Sequence, residues 1–390
     1  MASTLTNPVS NLVAEHVLEQ CVAGRVWSKE DVNAIRSDRS LIRVVAEGLA
    51  DRFEPRLCEV YADMFAWVLA EETRDLNEKD LIDRYRRVRR PRIYPGKNPD
   101  AVRDVYVLSR VTLGADIAVT SVMMDGMKRR FRNATVWLIG DRKSYELFEN
   151  DSRVGFYPMP FKRGAPMYEN LMERMNLKTG IVIDPDSRFS QLGLLPICPE
   201  ENYYFFESRA YGGETNDTLP VLAARWIRET FGVDAKAYID PINKVHSGKF
   251  ITVSLGVGEN PAKRVNDEFE HGLLKKLAQR GLPVILDRGP GGEEADRADQ
   301  AAAGVAGVEL HRGSFAQFAD LIRQSSLYVG YDSAGCHAAA ACAVPLMVFF
   351  KGAVNGRFFE RWKPSGAGSM DVIRIDETQP NAAVILDMVS

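Results

Sequence analysis

Residues 331–350, YDSAGCHAAAACAVPLMVFF, set an acid, a hydroxyl, a glycine and an imidazole just ahead of an alanine-rich run. With the preceding SLYVG they read as strand, turn and helix. Asp332, Ser333, Ala334 and Gly335 then lie at the carboxyl end of a strand, where the first helical turn leaves backbone N–H groups free. Those groups and the helix dipole suit a phosphate or pyrophosphate, and small residues let an anion approach the backbone. A plainer role also fits, with Asp332 or Ser333 capping a buried helix and His337 in the core. Lys263 is the second residue with chemistry to offer. It stands in a glycine-containing strand-to-helix loop, where its ammonium either meets phosphates or is simply solvated. Beside a helix N-terminus it would help to hold a phosphate. Asp184 and Asp186, in DPD, have the spacing of a metal-binding pair, but they close a strand at a proline turn and are read as turn residues. No convincing divalent-cation site emerges.

Positive charge is concentrated in RYRRVRRPR, with six arginines between Arg84 and Arg92. It is read either as a solvated helix face or as a surface for an anionic acceptor or the inner membrane leaflet. Arg129, within a patch of Lys128, Arg130 and Arg132, is a weak candidate for acceptor binding, as are Lys162 and Arg163.

The whole-chain totals narrow the classes. A formal net charge of -3 argues against a nucleic-acid binder dominated by phosphate contacts. Five scattered cysteines without a C-x-x-C pair exclude a disulfide framework and a cysteine-rich zinc site. The amino terminus lacks a basic start, and the longest apolar run, residues 338–350, is too short to span a bilayer. A cytoplasmic location is expected.

The elements that must position these residues change in texture along the chain. Residues 1–98 carry apolar residues at three- and four-residue spacing and are expected to form a helical domain, with Ser28 capping at Asp31. It ends at RRPRIYPGKNPD. Beyond it, DVYVLS, TVWLIG, GIVID and NYYFFE alternate with helical stretches. FITVSLG, LPVILD, GVELH, SLYVGYD and PLMVFF then do the same. This predicts an α/β chain with two doubly wound parallel domains, 99–240 and 241–390, joined near AKAYIDPINKVHSGK.

Residues 313–350 resemble the signature of glycosyltransferase family 9, the bacterial ADP-heptose:lipopolysaccharide heptosyltransferases. Gly313, Ser314, Phe315, Asp332, Ser333, His337, Ala339, Ala340, Ala341 and Pro345 fall in register, and Ala334 stands where that family has glycine. RWKP at 361–364 is similar to its W-x-P. Gly256, Lys263 and Arg264 match a second block, with Val265 in place of tryptophan. SRVTLGAD, beginning at Ser109, resembles the S-x-L-G-D loop if Ala115 is an insertion. The resemblance spans roughly 103–375 and leaves out the helical start. It implies the GT-B fold, two Rossmann-like domains facing a cleft, and an inverting transfer from a nucleotide diphosphate sugar, ADP-linked in that family. It implies Asp116 as base, and Gly256, Lys263, Arg264, Gly313, Ser314, Asp332, Ser333, Ala334, Gly335 and His337 around the donor. The acceptor would be an anionic glycan, lipid-linked or protein. Two other readings stay open: a nucleotide-sugar 2-epimerase on the same fold, and a non-catalytic module with a partner-binding helical domain.

Overall fold

The computed structural model describes residues 8–36, 40–73, 75–96, 98–161, 177, 179–258 and 260–389. The chain opens with helices α1 (Pro8–Val22) and α2 (Lys29–Ile35), a π-helical stretch (Leu41–Ala46), α3 (Glu47–Ala50), α4 (Pro55–Glu72) and α5 (Glu78–Val88). Ser28 Oγ accepts the Asp31 N–H at 3.3 Å, so the expected cap is present. α4 buries Tyr61, Phe65, Val68 and Leu69, and the same apolar cluster continues into Leu108, Ile139, Val182, Tyr203 and Phe205 of the first sheet. The helical unit and one face of that sheet therefore share a core.

The first sheet contains β1 (Asp104–Leu108), β2 (Thr135–Gly140), β3 (Val154–Pro158), β4 (Ile181–Asp184) and β5 (Tyr203–Phe205), all parallel, in the order β3-β2-β1-β4-β5. Between β1 and β2 run α6 (Leu113–Ala115), a π-helical stretch (Asp116–Thr120) and α7 (Ser121–Arg130). α8 (Arg142–Tyr145) precedes β3, and α9 (Leu219–Phe231) follows β5. The irregular stretch 233–250 leads into the second sheet, where a linker is expected.

The second sheet holds β6 (Ile251–Ser254), β7 (Val284–Asp287), β8 (Val308–His311), β9 (Leu327–Tyr331), β10 (Leu346–Lys351) and β11 (Met370–Ile375). Its order is β11-β10-β9-β6-β7-β8, again all parallel. Its helices are α10 (Asp267–Ala278), α11 (Gly292–Ala302), α12 (Phe315–Gln324), α13 (Ala334–Ala341), α14 (Gly356–Trp362) and α15 (Ala382–Asp387). β4, β6 and β10 are buried along their whole length, as parallel strands covered on both faces must be. The expected two-sheet α/β architecture with a helical start is present. β3 and β11 are strands that the sequence reading did not pick out; both lie at sheet edges and are largely half-exposed or exposed.

Candidate active site

In the second sheet the chain builds β7 and β8 on one side of β6, then returns to build β9, β10 and β11 on the other. The crevice beyond the carboxyl ends at such a reversal is where open α/β sheets bind ligands. The loop after β6 carries Lys263 and the turn after β9 carries Asp332. Lys263 Nζ donates to Asp332 Oδ2 at 2.6 Å and to its backbone oxygen at 3.2 Å. Ser333 then enters α13 in extended backbone, φ -157 and ψ -176, and its side chain does not cap the helix. Its buried hydroxyl has no hydrogen-bond partner. The first helical turn is thus left open to an incoming acceptor group. Gly335 must lack a side chain, because a Cβ there would lie 2.3 Å from the Tyr328 hydroxyl.

His337 is buried, with its ring 6.0 Å from that of Trp362. Burial pushes its pKa down; Asp332 pulls it up and Lys263 down again. It is a neutral imidazole near pH 7. Asp332, Cys336 and His337 offer ligand atoms within 4.8 Å of one another. They suit a cation poorly: Asp332 already holds the Lys263 ammonium, and Cys336 donates to Ser333 O with burial pushing its thiol pKa up.

The sequence reading missed three neighbours. Lys351, ending the apolar strand β10, donates to Ala262 O at 2.8 Å and so fixes the Lys263 loop. A lysine closing a run such as LMVFF was the available signal. Asp287 and Glu294 lie on the other side of that loop. Gly256 lies against the Glu294 carboxylate, so that side chain would have to shift to admit a Cβ there. Burial raises the Asp287 pKa to about 6, and burial together with Asp287 raises that of Glu294.

Other expected residues are engaged elsewhere. Arg264 donates to both oxygens of buried Glu270 at 2.8 Å, so its guanidinium locks the start of α10 rather than facing a donor. Ser314 forms a capping box with Gln317 on α12, and Gly313 packs against that pair. Both follow β8, two strands away from the switch, and are structural. Arg129 pairs with Asp125 at 2.9 Å near the end of α7. A crossover helix runs back along its sheet, so this end lies away from the cleft, against an acceptor role. Lys162 and Arg163 lie outside the described residues. Asp184 accepts from Ser187 N and the Tyr203 hydroxyl, while Asp186 pairs with Arg209, as suits turn residues.

Asp116 requires the largest correction. It is fully buried and accepts from Ser109 Oγ at 2.7 Å, Arg110 N at 2.7 Å and Thr120 Oγ1 at 2.8 Å. Burial raises its pKa and these hydrogen bonds oppose the rise. The carboxylate braces the β1 turn from inside. Gly114, two residues earlier, is what faces the second domain, where a Cβ would sit 3.4 Å from His337 Cδ2 and 3.5 Å from Ala334 Cα.

The arginine run is largely committed to partners within the chain, although Arg86, Arg87, Arg90 and Arg92 stay exposed. Arg84 is buried, donates to Gly193 O and lies 4.7 Å over the Tyr203 ring. Arg89 grips Glu207 at 2.7 Å and Arg87 pairs with Glu200 at 2.7 Å. Arg92 donates to the backbone oxygens of Glu200, Glu201 and Tyr203. The run rivets the helical unit to the edge of the first sheet.

That sheet has its own reversal, between β1 and β4. Arg110 follows β1, Asp186 and Arg188 follow β4, and Arg209 follows β5. They line a cavity of about 100 Å³ together with Asp51 from the helical unit and Trp362 from the second domain. Arg209 is 4% exposed; its Nε bonds Asp186, and both terminal nitrogens lack hydrogen-bond partners. The two reversals face each other across the cleft.

Comparisons with known proteins agree with this geometry. Residues 226–375 match the model of glycosyltransferase family 9 (heptosyltransferase). Lipopolysaccharide heptosyltransferase 3 of Escherichia coli (strain K12) is 32% identical over 102 residues, 25% of this chain; the chain spans only 29% of that relative. Among solved structures, E. coli heptosyltransferase WaaC with ADP superposes with a TM-score of 0.54 at 14% identity, covering 73% of this chain and 98% of that one. The glycosyltransferase family 9 protein from Veillonella parvula DSM 2008 gives 0.55 at 14% identity, covering 73% and 95%. Those folds are almost wholly contained in this chain, which adds further structure. The architecture is therefore GT-B, and the likeness to glycosyltransferase family 9 is confined to residues 226–375.

Proposed function

We propose that this protein is an inverting glycosyltransferase. It moves a heptose or similar hexose-like unit from a nucleotide diphosphate donor to a hydroxyl on an anionic glycan, lipid-linked or protein acceptor. The Lys263–Asp332 contact beside the uncapped start of α13 carries this reading. A pyrophosphate there would meet backbone N–H groups and one fixed ammonium. As the donor's glycosidic bond breaks, negative charge grows on the β-phosphate oxygen, and these groups stabilise it in a partly desolvated crevice. Ser333, with its free hydroxyl, would add a hydrogen bond. An adenine nucleotide is favoured, because structures of the same fold are described with ADP and with ADP-2-deoxy-2-fluoro heptose. The reading keeps the protein in the cytoplasm; among the described residues no helix is long and apolar enough to cross a membrane.

A thermal-shift screen of ADP, ADP-heptose and UDP- and GDP-sugars tests the donor site. A ligand at one hundred times its Kd stabilises by about 2.7 kcal/mol. Failure of every nucleotide sugar to raise Tm would end the proposal. Asp287 and Glu294 favour a second reading, because two neighbouring, partly buried acids are what a same-fold epimerase needs for proton transfer. A donor whose sugar inverts while still attached to its diphosphate, with no acceptor present, would put epimerisation in the place of transfer.

A further inference from the structure

With Asp116 enclosed, the transfer lacks a base on the first sheet, and the helical unit presents another carboxylate to the cleft. Asp51 ends α3 and lines the cavity between the helical unit and the two sheets. Among the described residues its carboxylate has no hydrogen bond and no ion pair, although its backbone is held at both ends. Its N–H donates to Glu47 O, and its oxygen accepts from Asn355 Nδ2 of the second domain. Two residues on, Phe53 adopts φ 52, a left-handed conformation that a bulky residue rarely takes. Its buried ring packs 6.4 Å from that of Phe358. Such strain persists where the surroundings fix it, and it clusters at functional sites. The Asp51–Glu54 loop is thus wedged into the cleft and held there.

The charged groups around Asp51 are Glu47 on α3, Arg188 after β4, Lys263 after β6 and Arg110 after β1, and Asp186 after β4 and Arg209 after β5 line the same cavity. Burial raises its pKa to about 7, Glu47 adds to the rise, and the three cations oppose it. A general base works best with a pKa near the operating pH. Lys263 also belongs to the proposed donor site, so its presence among these neighbours puts the carboxylate near the reacting end of the donor.

We infer that Asp51 is the general base of the transfer, taking the proton of an acceptor hydroxyl that enters this cavity. The inference rests on the donor reading above. The hydroxyl oxygen forms a bond to the anomeric carbon while the bond from that carbon to the β-phosphate oxygen breaks. The electron pair leaves with ADP, and the proton passes to Asp51 and then to solvent. A cavity of about 100 Å³ admits an alcohol group or a water. Water can therefore stand in for the acceptor.

The test compares the parent, Asp51→Asn and Asp51→Glu, with ADP-heptose as donor, water as acceptor and ADP release as the readout. ADP affinity is measured by calorimetry and folding by Tm. For Asp51→Asn the expected result is unchanged ADP affinity and release slower by about 10²–10⁴-fold. The parent's acid limb near pH 7 should disappear, and Asp51→Glu should recover part of the rate. Release by Asp51→Asn at the parent rate overturns the assignment. So does a joint loss of ADP affinity and folding that Asp51→Glu fails to restore, since that marks a structural residue. A parent that binds neither ADP nor ADP-heptose overturns the donor reading itself.

Discussion

At the β6/β9 switch the charged residues, Lys263 and Asp332, come from one sheet and from loops adjacent in space. At the β1/β4 switch Arg110, Arg188 and Arg209 come from one sheet, but Asp51 comes from the helical unit and Trp362 from the opposite domain. The first site draws its charged pair from one domain, and its cation keeps 20% of its side chain exposed. The second exists only when three parts of the chain are docked, and its central arginine is buried. A diphosphate needs a preformed cradle, which a single domain can supply. An acceptor hydroxyl that must be activated away from bulk water needs a site that closes around it, and closure requires surfaces from more than one domain.

Arg209→Met tests that difference most severely. It leaves Asp186 buried without its cation, and breaking a buried pair by removing one partner costs about 3–5 kcal/mol. Urea unfolding should show a loss of that order, with ADP affinity nearly intact in whatever remains folded. A loss below about 1 kcal/mol would mean that the cavity is wetter and looser than its geometry indicates.

Lys263→Ala bears on the other switch. It removes one charged hydrogen bond to a diphosphate, worth roughly 1.5–3 kcal/mol, so ADP binding should weaken by about tenfold or more. Adenosine affinity should barely change. Equal ADP affinity in variant and parent would take Lys263 out of the donor site and leave its ammonium as a brace for Asp332.

The two regions also differed in how far they could be read from the amino-acid order. The strand-turn-helix containing Asp332 to His337 is local, and its small residues and register signal an anion-facing helix start. The contact of Lys263 with it spans 69 positions, yet strand alternation places both residues at strand ends. Nothing comparable announced the other site. Arg84 to Arg92 have helical spacing, which reads as a solvated face; their partners, such as Gly193, Glu200 and Glu207, lie 100 or more positions away and carry no local mark. Arg264 and Ser314 stand in register with a family motif, but register does not reveal that Glu270 and Gln317 already satisfy them. Asp116 is hidden for a related reason. Its carboxylate turns inward to Ser109, Arg110 and Thr120, and only the folded positions of those groups reveal that.

Asp116→Asn should accordingly act on stability more than on rate. The amide replaces one oxygen with a donor among three groups that all donate, and a mismatched buried hydrogen bond costs roughly 1–3 kcal/mol. Denaturant unfolding should detect the loss, while ADP release per folded molecule stays close to the parent's. A selective fall in rate at unchanged stability would return the base to this loop and displace Asp51.

The pH dependence of stability reports directly on how closed the second switch is. The Asp51 pKa is raised to about 7 in the folded chain, whereas an unfolded aspartate titrates near pH 3.9. Between those values the folded state binds more protons than the unfolded state, so stability falls as pH rises. The contribution of Asp51 is complete below about pH 4 and is lost as pH passes through 7. Asp51→Asn cannot ionise and escapes that loss. The stability difference between variant and parent should therefore shift in favour of the variant across this window and level off above it. His337, buried and held neutral, destabilises both proteins alike as pH falls and so cancels from the difference. Thermal unfolding of the pair at pH 4.5, 6, 7 and 8 reads out the trend. A difference that does not vary with pH would mean that Asp51 ionises as it does in water. The cavity would then stand open, and the contrast between a preformed donor cradle and a closed acceptor site would fail on its acceptor side.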